Sequence, residues 1–159
     1  RSFGGGEFPE SRDGVFFTGS RTRLTDIKDG TSNTFLLGER YHRDAEFDRL
    51  TLKYDDTSYP LSNWGSWASA AYSTASQAEV MLSSLAPINY LVPPGSEAAA
   101  LNDDWTWEDN RLNAFGSGHP GGANLAFADG SVRFVRDSIA LRDLRALSTR
   151  AGQEVVDLP

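Results

Sequence analysis

Apolar residues alternate with small or polar residues on both sides of an Asp-Gly pair near the C-terminus of the chain. Asp129-Gly130 lies between two such runs, and this is the strongest short-range signal for a β-hairpin. If the pair forms a two-residue loop, Phe127 faces Val132 across the hairpin. Because side chains alternate across a strand, this register predicts one apolar face. Its members are Leu125, Phe127, Val132 and Phe134.

The apolar runs in the first third of the chain predict short elements. Val15–Phe17 is of strand length, and Leu24–Gly30 reads as one helical turn that Thr25 caps and Gly30 stops. The continuous run Thr34–Gly38 predicts a buried strand. We expect this strand to lie centrally in the sheet, close to the hairpin.

The middle and the end of the chain carry weaker patterns. Residues 44–59 are charged and mixed, as in a hairpin arm or a surface loop, and residues 63–85 have apolar positions at helical spacing. After the hairpin, Leu141, Leu144 and Leu147 form the stripe of a C-terminal helix. Ser138 can cap this helix, and Gly152 can end it.

These patterns predict one α+β domain over residues 1–159. Its architecture is a mostly antiparallel β-sheet with a C-terminal helix and long loops. A chain of 159 residues is long enough to bury its own core.

Charge and composition narrow the classes of partner. The net charge is −7 and no basic run is present, which argues against nucleic acid and against an anionic membrane surface. No apolar run approaches the roughly 20 residues that cross a bilayer. Because the chain has no cysteine, disulfides and thiolate metal sites are excluded.

His119 precedes the Asp-Gly pair, with nine residues between them. The segment 115–135 resembles the C-terminal signature of a large bacterial family of prepilin-like proteins, related to type II secretion pseudopilins, that is named for this His-X9-Asp-Gly pattern. Residues 13–17, 25–40 and 144–156 resemble other blocks of the family, in the same order. Residues 41–114 match loosely, as the variable insert of the family would.

The resemblance implies a non-enzymatic structural subunit, the pilin-like globular head of a bacterial secretion or surface filament. Full-length members begin with a basic leader and an apolar helix, whereas this chain starts at Arg1, past that region. We therefore expect a periplasmic or extracellular head that lacks its N-terminal helix and has an uncovered apolar sheet face. The expected partners are other copies or other pilin-like subunits, and a membrane would be reached only through the N-terminal helix.

The residues of the family motif have simple structural interpretations. His119 lies beside proline and glycines, where a histidine anchors a loop by hydrogen bonding; a metal or proton role is the alternative. Asp129 and Gly130 are explained by the turn itself. An enzyme would require His119 and Asp129 to converge in a cleft, and we expect no enzymatic activity.

Oxygen-rich residues suggest a weak metal site. Carboxylates and amides in a glycine-containing loop are ligands that Ca²⁺ prefers, although their spacing does not fit an EF-hand. Capping and turn formation explain the same residues. The first set is Asp26, Asp29, Ser32 and Asn33, and a second, weaker set is Asn102, Asp103, Asp104, Glu108 and Asp109.

The tryptophans leave two alternatives open. Exposed together, they would suit a subunit interface or a sugar platform, whereas buried they would belong to the core. The residues are Trp64, Trp67, Trp105 and Trp107. An extracellular carbohydrate- or calcium-binding module is therefore the alternative to the filament subunit.

Overall fold

The computed structural model describes residues 12–17, 19–54, 81–102, 104, 106–154 and 156. Within them, two 3₁₀ turns at Leu24–Asp26 and Thr31–Asn33 precede the main elements. These elements are β1 (Phe35–Gly38), α1 (Ala45–Tyr54), α2 (Glu97–Leu101), α3 (Thr106–Asn113), β2 (Gly122–Phe127), β3 (Val132–Arg136) and α4 (Leu141–Ala146). The predicted α+β class, with an antiparallel sheet and a C-terminal helix, is confirmed. No helix of the described segments is long and apolar enough to span a bilayer.

The sheet has the strand order β1-β2-β3, and both pairings are antiparallel. The prediction that β1 neighbours the hairpin is confirmed. Its central placement is wrong, because β2 lies in the middle and β1 is an edge strand of this sheet. The apolar run was a poor guide to position because Leu37 faces solvent and not the core.

The hairpin forms as predicted, but its register differs by one residue. The loop has three residues, Ala128–Gly130: the Phe127 amide donates to the Ser131 carbonyl at 2.9 Å, and the Gly130 amide donates to the Phe127 carbonyl at 3.0 Å. Phe134 therefore faces Asn124, and Val132 faces Ala126. The predicted apolar face is wrong: Leu125 and Phe127 are buried, whereas Val132 and Phe134 are on the opposite, exposed face.

The turn chemistry explains the longer loop. The Asp129 carboxylate accepts hydrogen bonds from the amide and the hydroxyl of Ser131, at 2.9 and 2.7 Å. Gly130 has φ +85°. A left-handed glycine at the end of a three-residue loop is the usual alternative to the two-residue turn. The Asp-Gly pair thus specifies a tight hairpin without specifying which of these loops forms.

Replacing Gly130 with Ala is expected to lower the free energy of unfolding by about 1–2 kcal/mol, because a Cβ disfavours the left-handed conformation. No atom of the described residues lies within 4 Å of the added methyl group, so the effect is conformational and not steric. Urea denaturation measures it. Gly130→Asn is the control, since Asn tolerates this conformation better; an Ala variant as stable as the Asn variant would contradict the assigned turn.

The main core lies between one face of the sheet and α4. Phe35 packs edge-on against Phe127, with ring centroids 4.9 Å apart. Leu144 and Leu147 are fully buried against them, as the predicted helical stripe required. The predicted helix ends are wrong: Ala140 and not Ser138 is the N-cap, and the helix ends at Ala146, well before Gly152.

A second core joins α1, α2 and α3. Its buried members are Phe47, Leu50, Val92, Ala100, Trp107 and Leu112. Residues 45–54 are therefore a helix, and the predicted hairpin arm or surface loop over 44–59 is wrong for them. The Asp44 carboxylate begins this helix by accepting a hydrogen bond from the Phe47 amide at 3.1 Å, as an N-cap residue does.

A buried ion pair fastens this second core. Arg111 of α3 donates through Nε to the Asp44 carboxylate at 2.9 Å and through Nη2 to the Tyr41 carbonyl at 2.5 Å. The same carboxylate accepts the Val92 amide at 2.9 Å. Burial lowers the pKa of Arg111, and the negative charge of Asp44 opposes that effect. Asp44 thus connects three parts of the chain: the start of α1, the loop that precedes α2, and helix α3.

Two further predictions were wrong in detail. Val15–Phe17 is a bend and loop, not a strand. The 3₁₀ turn at Leu24–Asp26 is capped by Arg23, whose amide donates to the Asp26 carboxylate at 2.8 Å, and not by Thr25. The helix predicted over 63–85 lies outside the described residues except for 81–85, which form a loop and turn.

Candidate interaction surface

The face of the sheet that points away from α4 carries a row of exposed apolar side chains. Leu37 pairs with Ala126, and Ala126 pairs with Val132, so the three lie side by side across the strands. Leu37 is 66% exposed and Val132 is 65% exposed. Phe134, 49% exposed, extends this row along β3. We call these four residues the open face.

A β-bulge places Leu37 on this face. Phe35 pairs with Phe127 on the core side, but the register shifts before Leu37, which pairs with Ala126. Without the extra residue, strand alternation would direct Leu37 to the same side as Phe35. The bulge therefore transfers a leucine from the core side to the open face.

The ring of Phe134 lies over the backbone of Gly122. A Cβ at Gly122 would come within 2.9 Å of two ring carbons of Phe134 and 2.2 Å of the Val135 carbonyl oxygen. Glycine is therefore required at this position of β2, and its lack of a side chain gives the ring a flat surface to rest on.

Polar residues border the open face where β1 ends, next to Gly38. The Glu39 carboxylate accepts a hydrogen bond from the Asn124 amide at 2.7 Å, and Nε2 of His119 lies 3.8 Å from it. Two hydrogen bonds of the Ser117 hydroxyl hold the loop that contains His119. The His119 amide donates to this hydroxyl, and the hydroxyl donates to the Gly122 carbonyl. His119 is thus held by its loop, and its imidazole remains 60% exposed beside Glu39.

Asn89 supports the same loop from outside it. Asn89 has φ +61°, its side-chain oxygen accepts the Ser117 amide at 2.9 Å, and its side-chain nitrogen donates to Asp137 at 3.2 Å. Sequence reasoning missed Asn89 and Glu39. Neither belongs to a recognisable spacing, since both act through contacts with residues distant in the chain.

His119 and Asp129 are not brought together. They precede and follow β2, whose six residues separate them by about 20 Å. The two hydrogen bonds from Ser131 lower the pKa of Asp129 below its ordinary value. Their stabilising effect is therefore present at neutral pH and is lost as the pH falls through the lowered pKa.

Residues 2–142 match a family described as "Protein of unknown function (DUF1559)", also named SBP_bac_10. This match covers most of the 159 residues. The chain belongs to the DUF1559 family. No curated protein and no solved structure matches it.

In this DUF1559 chain, residues of the first oxygen-rich set make hydrogen bonds to the backbone that stabilise the fold. The Asp29 carboxylate accepts the amides of Gln153 and Gly152 at 2.7 and 2.8 Å. Asn33 donates its side-chain amide to the Asp29 carbonyl, and the Asp26 carboxylate accepts the amide of Arg23, the N-cap of the first 3₁₀ turn. Ser32 is half-buried in the second 3₁₀ turn. Among the described residues no group of three or more acidic or histidine side chains suits a metal ion.

The second acidic set is dispersed around α3. Asp104 accepts the amide of Thr106 at the start of this helix, Glu108 is buried, and burial raises the pKa of Asp109. Asn102 follows α2 and donates to the Ala98 carbonyl. Asp103 lies outside the described residues.

Of the four tryptophans, the structure describes Trp107. Its side chain is 4% exposed and packs edge-on against Phe47, with centroids 5.8 Å apart. It belongs to the second core and not to an exposed platform. Trp64, Trp67 and Trp105 lie outside the described residues.

Proposed function

We propose that the chain is a non-enzymatic structural subunit, the pilin- or pseudopilin-like head of a bacterial secretion or surface filament in the periplasm or outside the cell. In this proposal the open face packs on an apolar helix, and other subunits are the partners. The observation that carries it is the open face: Leu37, Ala126, Val132 and Phe134 form an apolar strip on a sheet whose other side is the core.

Isolated exposed leucines are ordinary, but an apolar row across three strands is not. In an antiparallel sheet with one face on the core, the other face normally carries polar side chains. Here a bulge and a hairpin register both direct apolar side chains outward. A helix laid across the strip would remove these side chains from water, and this burial would supply the free energy of packing.

The polar border supports the same arrangement. Glu39, Asn124 and His119 lie beside one end of the open face. Arg136 follows Phe134 on the same side of β3. An apolar centre with a polar rim is the usual composition of a protein interface. The second core of α1, α2 and α3 lies within residues 41–114, the region that would be presented outward.

Leu37→Glu is expected to abolish incorporation of the protein into filaments without unfolding it. A buried carboxylate would be strongly unfavourable in the packed state, whereas an exposed one changes stability by no more than about 0.5 kcal/mol. The measurement is the amount of the protein in sheared surface filaments, or the secretion that they support, in the source bacterium. The melting temperature of the purified variant is measured in parallel.

Leu52→Glu is the matched control, because Leu52 on α1 is 64% exposed and Leu37 is 66% exposed. We expect this variant to assemble normally. Normal assembly of the Leu37→Glu variant would contradict the proposal. Equal loss in both variants would attribute the effect to added charge and not to the open face.

A further inference from the structure

The two edges of the sheet differ in how their backbone groups are satisfied. On β1, the Phe35 amide donates to the Leu147 carbonyl at 2.8 Å, and the Glu39 carbonyl accepts the Gly116 amide at 2.9 Å. Segments on either side therefore cover the outer edge of β1.

Among the described residues, no segment covers the outer edge of β3. Hydrogen bonds from Phe127 to Ser131 and from Asp137 to Gly121 fix the ladder between β2 and β3. Since antiparallel ladders alternate, Arg133 and Val135 bond to β2, whereas the amides and carbonyls of Val132 and Phe134 point outward. Nothing in the described part of the chain hydrogen bonds to these outward groups.

The usual protections of an edge strand are weak on β3. Proline is absent from Val132–Arg136, and the strand itself has no bulge in its pairing with β2. One of its two charged side chains, Arg133, turns to the core side, where its guanidinium lies 4.4 Å from the ring centroid of Phe127. Val132 and Phe134 remain as exposed apolar side chains on this edge.

We propose that β3 pairs antiparallel with β3 of a second copy of the chain, with Phe134 opposite Phe134, so that the two sheets join into one. The two Phe134 residues then exchange both backbone hydrogen bonds, and Val132 of each copy faces Arg136 of the other. The exposed rings meet as a cross-strand aromatic pair.

Charge and strand length select this register. A shift of two residues toward the hairpin turn would place Arg133 opposite Arg133, and like charges directly opposite are unfavourable. A shift in the other direction would run past Arg136, whose carbonyl already accepts the Ile139 amide in the following turn. With Phe134 at the centre, all five residues pair and Arg133 faces Val135.

This inference goes beyond the proposed function and does not depend on it. The pairing joins backbone groups along the edge of β3 and shares Val132 and Phe134 with the open face, on which a filament helix would lie. Leu37 is on β1, at the far side of the sheet from this edge. The Leu37→Glu experiment and the following one can therefore fail separately.

Single cysteines test the register in the 159-residue chain, which has no cysteine of its own. Phe134→Cys is expected to form a disulfide-linked dimer under mild oxidation, since an antiparallel hydrogen-bonded pair has Cα atoms about 5.5 Å apart. Val132→Cys is the control: its copies would lie about 13 Å apart, beyond the reach of a disulfide. We expect at least about a tenfold difference in dimer yield on non-reducing gels.

A second experiment keeps the Phe134 ring. Val132→Cys and Arg136→Cys chains are oxidised separately and as a mixture, and only the mixture is expected to give a linked dimer. Sedimentation of the unmodified chain is expected to show a concentration-dependent dimer. Equal linking by Phe134→Cys and Val132→Cys, or no linking in the mixture with only monomer in sedimentation, would overturn the proposal.

Discussion

Replacing Phe127 with Ala is expected to lower the free energy of unfolding by about 3–5 kcal/mol, the cost of removing a fully buried aromatic side chain and leaving a cavity. Phe127 is fully buried, packs edge-on against Phe35 and lies under the Arg133 guanidinium. The measurement is urea denaturation at neutral pH. The slope of the unfolding free energy against urea concentration is compared between the variant and the unmodified chain, because an equal slope shows that the folded and unfolded states keep their compactness.

Phe134→Ala is the matched control, since the same ring is removed from the other strand of the same hairpin. Phe134 is 49% exposed, and we expect a loss of less than about 1 kcal/mol. The comparison also tests the register. Equal and large losses for the two variants would contradict the three-residue loop and would favour the two-residue loop that the Asp-Gly pair suggests.

Arg111→Ala is expected to lower the free energy of unfolding by about 3–5 kcal/mol, because it leaves the buried Asp44 carboxylate without its counter-charge. The side chains of Arg111 and Asp44 are 2% and 3% exposed. The carboxylate retains the amides of Val92 and Phe47, so the helix cap itself survives the change. Thermal or urea denaturation monitored by circular dichroism measures the loss.

Arg49→Ala is the control for the loss of an arginine from an ion pair. Arg49 bonds to Glu46 and Glu97 on the surface between α1 and α2, where solvent screens the charges. We expect its denaturation midpoint to stay close to that of the unmodified chain. If Arg111→Ala is equally mild, the Asp44–Arg111 pair does not hold the second core together.

Local pattern predicted those elements whose signals are local. The hairpin, β1 and the apolar stripe of α4 were found because a turn pair, a short apolar run and a three-residue spacing each restrict the backbone. The register of the hairpin was not, since two- and three-residue loops share the Asp-Gly signal. In the three-residue loop the amide and the hydroxyl of Ser131 donate to Asp129, a contact that the Asp-Gly pair does not specify.

The sequence analysis did not predict helix α1 because charged residues interrupt its apolar positions. Charged residues hide the buried positions Phe47, Leu50 and Thr51, and the cap Asp44 also pairs with an arginine 67 residues away. Such long-range partners leave no spacing to read. The same reason explains why Glu39 and Asn89 were not recognised beside His119.

The open face was expected from the resemblance to pilin-like proteins, but its membership was only half predicted. Val132 and Phe134 belong to it, whereas Leu125 and Phe127 are core residues. The apolar run predicts that Leu37 is buried, whereas the bulge after Phe35 exposes it. A bulge inserts one residue without a fixed sequence signal, so the side of a strand on which a residue falls is decided by pairing.

The contacts of the closing segment bear on where the folded domain ends. The match to the DUF1559 family stops at residue 142, yet Leu144 and Leu147 are fully buried in the main core. Beyond them, the Arg150 amide donates to the Asp13 carbonyl, and Asp29 accepts the amides of Gly152 and Gln153. The folded domain therefore extends at least to residue 153, eleven residues past the end of the family match. A chain cut at residue 142 would lose one wall of its own core.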